Sequence, residues 1–122
     1  MSRFLWTQKE DIGPSARFGH AMTYDSVRSR TTLFGGLIGG QIGSVNDTWE
    51  WNGEFWTQVA DIGPAARQDH ALCFDSVRQT VLLFGGLSGQ NTLLGDTWSW
   101  NGEDWTQLES DWHARESEFC GS

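Results

Sequence analysis

The residues best suited to chemistry are histidines and the carboxylates near them. His20 and His70 stand 50 positions apart, and each is followed five residues later by an aspartate, Asp25 or Asp75. Imidazole and carboxylate groups are common metal ligands. Because both pairs recur at the same position of a repeated segment, one structural role performed twice is the favoured interpretation, with a metal site as the alternative. The third histidine, His113, is expected in an irregular, solvent-exposed tail.

The sequence lacks the motifs of common hydrolases and nucleotide-binding proteins. It has no Gly-x-Ser-x-Gly elbow, His-Glu-x-x-His pair or P-loop. No helix follows the glycine-rich run 35–40, so that run has no helix N-terminus to bind a phosphate. The carboxylates Glu103 and Asp104, like Asp25 and Asp75, suit solvated turns. We therefore expect a protein that is not an enzyme, with no catalytic residue, no metal and no cofactor.

An internal repeat organises the chain. The tripeptide Trp-Thr-Gln occurs three times, at spacings of 50 and 49 residues, starting at Trp6, Trp56 and Trp105. Residues 6–37 align on residues 56–87 with 20 of 32 positions identical, and the match resumes at Asp-Thr-Trp and Trp-Asn-Gly-Glu. Between these blocks the units differ in both length and sequence, at Ile38–Val45 in the first and Ser88–Leu94 in the second.

Each unit predicts four short strands. In the first strand larger and smaller side chains alternate, as in a strand whose two faces pack differently. The second is apolar and stops at Gly-Gly, which suits a strand covered on both faces. The third leads into Asn-Gly, and a fourth follows. The predicted strands are His20–Tyr24, Thr31–Phe34, Thr48–Trp51 and Glu54–Val59, then His70–Phe74, Val81–Phe84, Thr97–Trp100 and Glu103–Leu108.

Asn-Gly between the third and fourth strands predicts a two-residue hairpin, because both residues of a type I′ turn need positive φ. With Asn52 and Gly53 as the loop, Trp51 would face Glu54, and Trp49 would face Trp56. Trp98 and Trp105 would pair in the same way. The tryptophans are then explained as core residues, with carbohydrate stacking by Trp49, Trp51 or Trp56 as the alternative.

The amino-acid composition restricts the possible fold classes and the possible binding partners. Fifteen Gly, eight Trp and seven Phe in 122 residues favour all-β structure. The net charge of −8 argues against nucleic acid and anionic membranes as partners. No signal peptide or transmembrane run is present, so the sequence as written predicts a cytoplasmic protein. Cys73 and Cys120 are interpreted as free thiols.

The repeat resembles the kelch repeat: Arg and His precede the first strand, Gly-Gly closes the second, Asp leads the third and Trp lies in the fourth. The resemblance is to bacterial kelch arrays of kelch and galactose-oxidase-like β-propellers, and it implies one propeller blade per unit. It divides the chain into an unpaired outer strand with an inter-blade loop (1–16), two blades (17–59 and 60–108) and an irregular tail (109–122). Copper oxidase chemistry is not implied, because it needs a Tyr/His ligand set and Tyr24 is the only tyrosine.

The number of units does not determine how such a propeller would close. Propellers usually need 4–8 blades, and the sequence supplies two, preceded by Phe4-Leu5-Trp6, which aligns on a fourth strand. The chain is interpreted either as a piece of a longer array or as an incomplete propeller closed by oligomerisation. We expect a homo-oligomer, with three chains giving six blades as the favoured ring.

The kelch resemblance implies a binding face formed by the loops between second and third strands and those between blades. The loops differ between otherwise similar units, which favours a role for them in binding a partner. An equal alternative is that the loops differ because nothing constrains their sequence. We expect a non-enzymatic module that binds a protein or other ligand; the alternatives are a fragment of a propeller enzyme or lectin, and an assembly unit without a ligand. The candidate binding residues are Arg17, Phe18, Ile38, Gln41, Ser44, Arg67, Gln68, Asp69, Ser88, Gln90 and Asn91.

Overall fold

A computed structural model describes residues 12–39 and 41–109, and that part of the chain is all-β. It contains two four-stranded antiparallel sheets and one two-stranded sheet, and it has no helix that is long and apolar enough to cross a membrane. The strands are β1 Ala21–Asp25, β2 Arg30–Phe34, β3 Leu37–Ile38, β4 Gly43–Ser44, β5 Thr48–Trp51, β6 Trp56–Ala60, β7 Ala71–Asp75, β8 Thr80–Phe84, β9 Thr97–Trp100 and β10 Trp105–Glu109.

Each large sheet is a meander. The first sheet has the order β1-β2-β5-β6, and the second has the order β7-β8-β9-β10. The four predicted strands of each unit are present, and the first unit adds the short strands β3 and β4 in its divergent loop. The third strands match residue for residue, and the first strands begin one residue later than predicted. The predicted outer strand at Phe4-Leu5-Trp6 and residues 110–122 of the predicted tail, with His113, lie outside the described residues.

A buried aspartate closes the hairpin between the first two strands of each sheet. Asp75 Oδ1 accepts the backbone N–H groups of Val77 and Arg78 at 3.0 and 3.2 Å, and Oδ2 accepts from Arg78 Nη1 at 2.6 Å. Burial alone would raise the pKa of Asp75, but these hydrogen bonds outweigh it and hold the pKa below 3.8. Asp25 makes the same bonds in the first sheet. The expectation of solvated carboxylates is therefore wrong at Asp25 and Asp75, because each is enclosed by the turn it caps.

The hairpin between the third and fourth strands has a different register from the predicted one. Trp51 pairs with Trp56, and Trp49 pairs with Gln58, so the loop has four residues and the predicted Trp49–Trp56 pair is wrong. The rings of Trp51 and Trp56 lie 5.5 Å apart. The second unit repeats the arrangement, with Trp100 opposite Trp105 and Trp98 opposite Gln107.

Asn52 is the physical reason for the longer loop. Its side-chain oxygen accepts the backbone N–H groups of Glu54 and Phe55 at 2.8 and 3.0 Å. Gly53 has a φ of +102°, whereas Asn52 is not among the residues with positive φ. An asparagine that caps the loop with its side chain does not need the left-handed backbone of a type I′ turn.

Cys73 on β7 forms a disulfide bond, so the expectation of a free thiol there is wrong. Its side chain shares a face of the second sheet with its cross-strand neighbours Leu82 and Ser99, and that face points away from the first sheet. Because Cys73 is only half-buried, its sulfur can be reached by a second cysteine. Cys120 lies outside the described residues.

The two large sheets pack face to face, and aromatic rings fill the space between them. The ring of Phe34 meets the ring of Trp105 edge-on, with centroids 5.3 Å apart, and meets His70 at 5.4 Å. Trp100 is buried against the first sheet, and its indole N–H donates to Glu50 Oε2 at 3.1 Å. Since aromatic pairs add to the free energy of burial through their geometry, these rings set how the sheets lie on each other.

Polar contacts fix the register of the two sheets. The indole N–H of Trp105 donates to Thr48 Oγ1 at 2.9 Å. Near the starts of β1 and β7, Gly36 N donates to Arg67 O at 2.9 Å, and Asp69 N donates to Gly19 O at 2.8 Å. These bonds join the backbone of the first unit to that of the second.

The repeated Asp-Ile-Gly-Pro segment has a packing role. A Cβ at Gly63 would lie 2.6 Å from Cδ1 of Trp105, and the φ of Gly63 is +134°. In the first unit a Cβ at Gly13 would lie 2.7 Å from Cδ1 of Trp56. Glycine recurs at this position because the tryptophan of the fourth strand occupies the space that a side chain would need.

Replacement of Asn52 by Ala should destabilise the hairpin, because two backbone N–H groups lose their acceptor. We expect a loss of about 1 kcal/mol in the free energy of unfolding and a weaker near-UV circular dichroism signal from the Trp51–Trp56 pair. Asn101→Ala should act equally on the second sheet, since Asn101 makes the same two bonds. Glu54→Ala is the control, and equal melting temperatures for all three variants would contradict the capping role.

Candidate functional site

The loops at one end of the two sheets form a continuous surface, here called the loop surface. It consists of the segments before β1 and β7 (17–20 and 67–70) and those after β2 and β8 (36–39 with 41–45, and 86–94). In each unit the two segments are joined by paired backbones, Phe18 with Leu37 and Gln68 with Leu87. Gly36 and Gly86 have φ of +112° and +106°, which lets the chain leave the second strand and turn back along this end.

Buried arginines support the loop surface from below. Arg67 Nη1 and Nη2 lie 2.7 and 2.8 Å from the two carboxylate oxygens of Asp96, and Nη1 also donates to Gly85 O at 3.0 Å. The indole of Trp98 donates to the same carboxylate at 2.8 Å. Burial favours a higher pKa for Asp96, but Arg67 and Trp98 hold the pKa below 3.8. The first unit repeats this cluster with Arg17, Asp47 and Trp49.

The two arginines were candidate binding residues, and their placement gives them another role. The Arg67 side chain is wholly buried and that of Arg17 nearly so. Their guanidinium donors are used on Asp96 and Asp47 and on backbone oxygens. Each bidentate ion pair joins the segment before the first strand of its sheet to the residue before the third strand, so these arginines position the loops.

The tips of the two divergent loops differ, whereas their bases are alike. Val45 N donates to Gly36 O at 3.0 Å in the first unit, and Leu94 N donates to Gly86 O at 2.8 Å in the second. In the first unit the tip is the β3–β4 hairpin. In the second unit Ser88 organises a turn, and its Oγ accepts from the backbone N–H groups of Gln90 and Thr92.

The structure brings loop residues of the two units together. Ser44 Oγ donates to Gln68 Oε1 at 2.9 Å, which links the β3–β4 hairpin to the segment before β7. The loop containing Ser88 approaches the same place, since a Cβ at Gly89 would lie 3.8 Å from Ser44 Oγ. Ser44, Gln68 and Ser88 therefore belong to one patch.

Three exposed apolar side chains stand on the loop surface. Phe18, Ile42 and Leu93 are 61%, 66% and 83% exposed. Polar side chains are exposed around them at the remaining predicted positions Gln41, Asp69, Gln90 and Asn91, and Ile38 is half-buried in β3. Ile42 and Leu93 were not named from the sequence, although both lie in the divergent segments, where an apolar residue among Gly, Ser and Gln is the available signal.

The histidine–aspartate pairs are not assembled into a metal site. His70 precedes β7 and Asp75 ends it, so the strand separates them by about 16 Å. His20 and Asp25 are separated by β1 in the same way. No group of three or more His, Cys, Asp or Glu side chains within residues 12–39 and 41–109 is arranged to hold a metal ion.

Two cavities of the described residues lie away from the loop surface. One, of about 360 Å³, is bounded by residues 59–63 and by the β9–β10 hairpin, with Glu103 and Trp105 in its wall. The other, of about 270 Å³, is lined by Arg30, Glu50 and the β5–β6 hairpin. Neither of these two cavities includes a residue of the loop surface.

Comparison with known proteins does not identify a family. No family model matches the chain. No curated protein matches it either.

His70 joins the loop surface to the interface between the sheets. Its Nε2 lies 2.7 Å from the carbonyl oxygen of Phe34 and donates to it, because a carbonyl only accepts. Its Nδ1 is buried and has no hydrogen-bond partner among the described residues. Burial lowers the pKa of His70 to about 4; the bond to Phe34 acts in the opposite direction and is outweighed.

Protonation of His70 should make stability depend on pH. Between about pH 4 and 6.5 the unfolded chain binds this proton and the folded chain does not, so the free energy of unfolding should rise with pH through this window and be fully regained above 6.5. The loss at low pH should approach roughly 3 kcal/mol.

Urea unfolding at a series of pH values measures this dependence. His70→Gln should remove the slope, because an amide can donate to Phe34 without titrating, whereas the matched variant His20→Gln, at an exposed position, should keep it. An unchanged slope in His70→Gln would show that His70 is not the group responsible.

Proposed function

We propose that this chain is a pair of kelch-type propeller blades that acts as a non-enzymatic interaction module and binds a protein partner through the loop surface. The repeated four-stranded meanders, packed face to face, support the interpretation of each sheet as a blade. Closure of the propeller by self-association belongs to the same proposal.

The exposed apolar side chains of the loop surface are the observation that carries this function. Phe18, Ile42 and Leu93 come from three separate loops, yet all three stand on the same end of the sheets. Large apolar side chains surrounded by amide and hydroxyl groups are typical of protein-binding sites. Buried ion pairs hold the loop bases, so the surface is preformed and little ordering is needed on binding.

Differences between the loop tips supply specificity in this proposal. The Arg–Asp–Trp cluster and the hydrogen bond at each loop base are the same in both units. The loop tips carry different side chains at different positions. This is expected where a common scaffold is retained and the contacts with a partner vary.

Substitution of the exposed tips tests the proposal. Ile42→Ser and Leu93→Ser each remove an apolar anchor, and each should weaken binding about fivefold or more. The melting temperature should stay within about 2 °C, because substitutions at exposed positions away from caps and strained backbone change stability little. The wild type and the variants would each be immobilised. The partner proteins that each one retains would be compared by quantitative mass spectrometry.

Val77→Ser is the matched control, since Val77 is an apolar residue even more exposed than Ile42 and Leu93 but lies at the turn between β7 and β8, at the opposite end of the sheet. Partners retained by the wild type and by Val77→Ser but lost from both loop variants support the proposal. Equal retention by all four proteins would contradict it, and binding to a glycan array through Trp51 or Trp56 would favour a lectin instead.

A further inference from the structure

The outer face of the second sheet is covered, although the first sheet packs on the opposite face. Thr97 and Leu82 on the outer face are 1% and 3% exposed. They are almost as buried as Thr48 of the first sheet, which is 0% exposed because the second sheet packs on it. Cys73 on the outer face is disulfide-bonded, and Phe84 also has a partner. These partners indicate that a further segment of the chain lies against this face.

The disulfide bond identifies that segment. The chain has two cysteines, Cys73 and Cys120, so the only partner for Cys73 within one chain is Cys120. Cys120 belongs to residues 110–122, here called the C-terminal segment, which follows directly after β10. The segment that covers the outer face is therefore sought at the end of the second sheet.

The position and length of the C-terminal segment suit this bond. β10 and β7 are the two edge strands of the second sheet, and they lie three strand spacings apart, or about 14 Å. Residues 110–119 separate Glu109 from Cys120, and such a segment reaches about 33 Å when extended. Because the first sheet occupies the inner face, the route from β10 to Cys73 crosses the outer face, over β9 and β8.

This route passes the residues that are covered. Glu109, at the end of β10, pairs with Thr97 on β9, and Thr97 pairs with Phe84 on β8. Leu82, two residues before Phe84, pairs with Cys73 on β7. A chain that leaves Glu109 for Cys73 therefore passes over Thr97, Phe84 and Leu82.

The C-terminal segment carries side chains suited to this face. It contains two large aromatic residues, Trp112 and Phe119, and aromatic side chains bury much apolar surface. In the first sheet, Phe34 stands where Phe84 stands in the second, and its ring contacts the ring of Trp105 from the neighbouring sheet. An aromatic residue of the C-terminal segment would give Phe84 an equivalent neighbour.

We propose that a disulfide between Cys73 and Cys120 holds the C-terminal segment across the outer face of the second sheet, in the place of a third sheet, and that reduction of this bond releases the segment. The proposal goes beyond the proposed function and does not depend on ligand binding at the loop surface. While the segment is in place a second copy cannot occupy this face, so self-association of the oxidised chain does not involve it.

A dithiol reagent supplies the electrons for release. One thiolate of the reagent attacks a sulfur of the disulfide, and the other protein sulfur leaves as a thiolate. The second thiol of the reagent then displaces the remaining protein sulfur and closes the reagent's own disulfide. Two electrons and two protons pass to the protein, and a small-molecule disulfide restores the bond by the reverse exchange. The segment is thus held in oxidising surroundings and released in reducing ones.

Peptide mapping tests the bond itself. The protein is equilibrated with a small thiol and its disulfide, and the monomer band of a non-reducing gel is digested with trypsin. Cleavage after Arg67, Arg78 and Arg115 places Cys73 in residues 68–78 and Cys120 in residues 116–122. We expect these two peptides as one linked pair that separates when dithiothreitol is added.

Photochemical labelling with a diazirine tests whether the segment covers the face. Reduction of the wild type should raise the labelling of Leu82 and Phe84 at least threefold. Met22 and Tyr24 on the outer face of the first sheet are 51% and 55% exposed, and their labelling should stay unchanged as an internal reference. Cys120→Ser should be labelled as the reduced wild type is, and should not respond to the reductant.

The disulfide should also stabilise the fold, because it closes a long loop of the unfolded chain. Reduction should lower the melting temperature of the wild type by roughly 10 °C or more and leave that of Cys120→Ser unchanged. Trp112→Ser, which keeps both cysteines, is a milder change that should at least double the labelling of Phe84 with the bond intact. Far-UV circular dichroism establishes that each protein is folded.

Two results would overturn the proposal. One is a folded, oxidised chain in which Cys73 is a free thiol or is bonded to a cysteine of another copy. The other is labelling of Leu82 and Phe84 that is the same in the oxidised wild type and in every folded variant. Ile42→Ser and Leu93→Ser should keep the linked peptide pair, so loss of partner binding in them tests the loop surface separately.

Discussion

The indole of Trp105 contacts the first sheet through one hydrogen bond and one aromatic contact. The packing of the two sheets depends on these contacts. Its N–H reaches Thr48 while its ring packs against Phe34. A strand that is apolar on both faces, such as Val81–Phe84, cannot be buried by its own sheet. The second sheet therefore needs the first, and Gly63 is required because any side chain there would collide with the indole.

The packing of the two sheets also connects the core to the loop surface. Once the sheets are packed, Arg67 is enclosed between β8, β9 and the first sheet, where its charge needs the carboxylate of Asp96. That ion pair fixes the loop bases, and the bond from Gly36 to Arg67 joins the two units. Divergent tips can then vary without loss of the scaffold, which is the physical basis of the proposed recognition role.

Much of this fold could be predicted from the sequence, because the repeat contains two copies of the sequence pattern of each strand and turn. Third strands, bounded by Asp-Thr and Asn-Gly, were predicted to the residue. The hairpin register was not, because Asn-Gly is compatible with two loops, and only the Asn52 side-chain bonds to Glu54 and Phe55 distinguish them. The burial of Asp25 depends on backbone geometry that no residue pattern specifies. Similarly, Arg67 could not be separated from a surface arginine, since its partner Asp96 is 29 residues away.

A double-mutant cycle on Thr48→Val and Trp105→Phe measures the contact between the sheets most directly. Thr48→Val nearly preserves shape, and Trp105→Phe keeps an aromatic ring while removing the indole N–H, so each change removes one side of the same hydrogen bond. The structure predicts that the double variant loses less stability than the sum of the two single variants, by about 0.5–1.5 kcal/mol in urea unfolding. Strictly additive losses, within about 0.3 kcal/mol, would show that Thr48 and Trp105 do not meet, and would contradict the face-to-face packing of the two sheets.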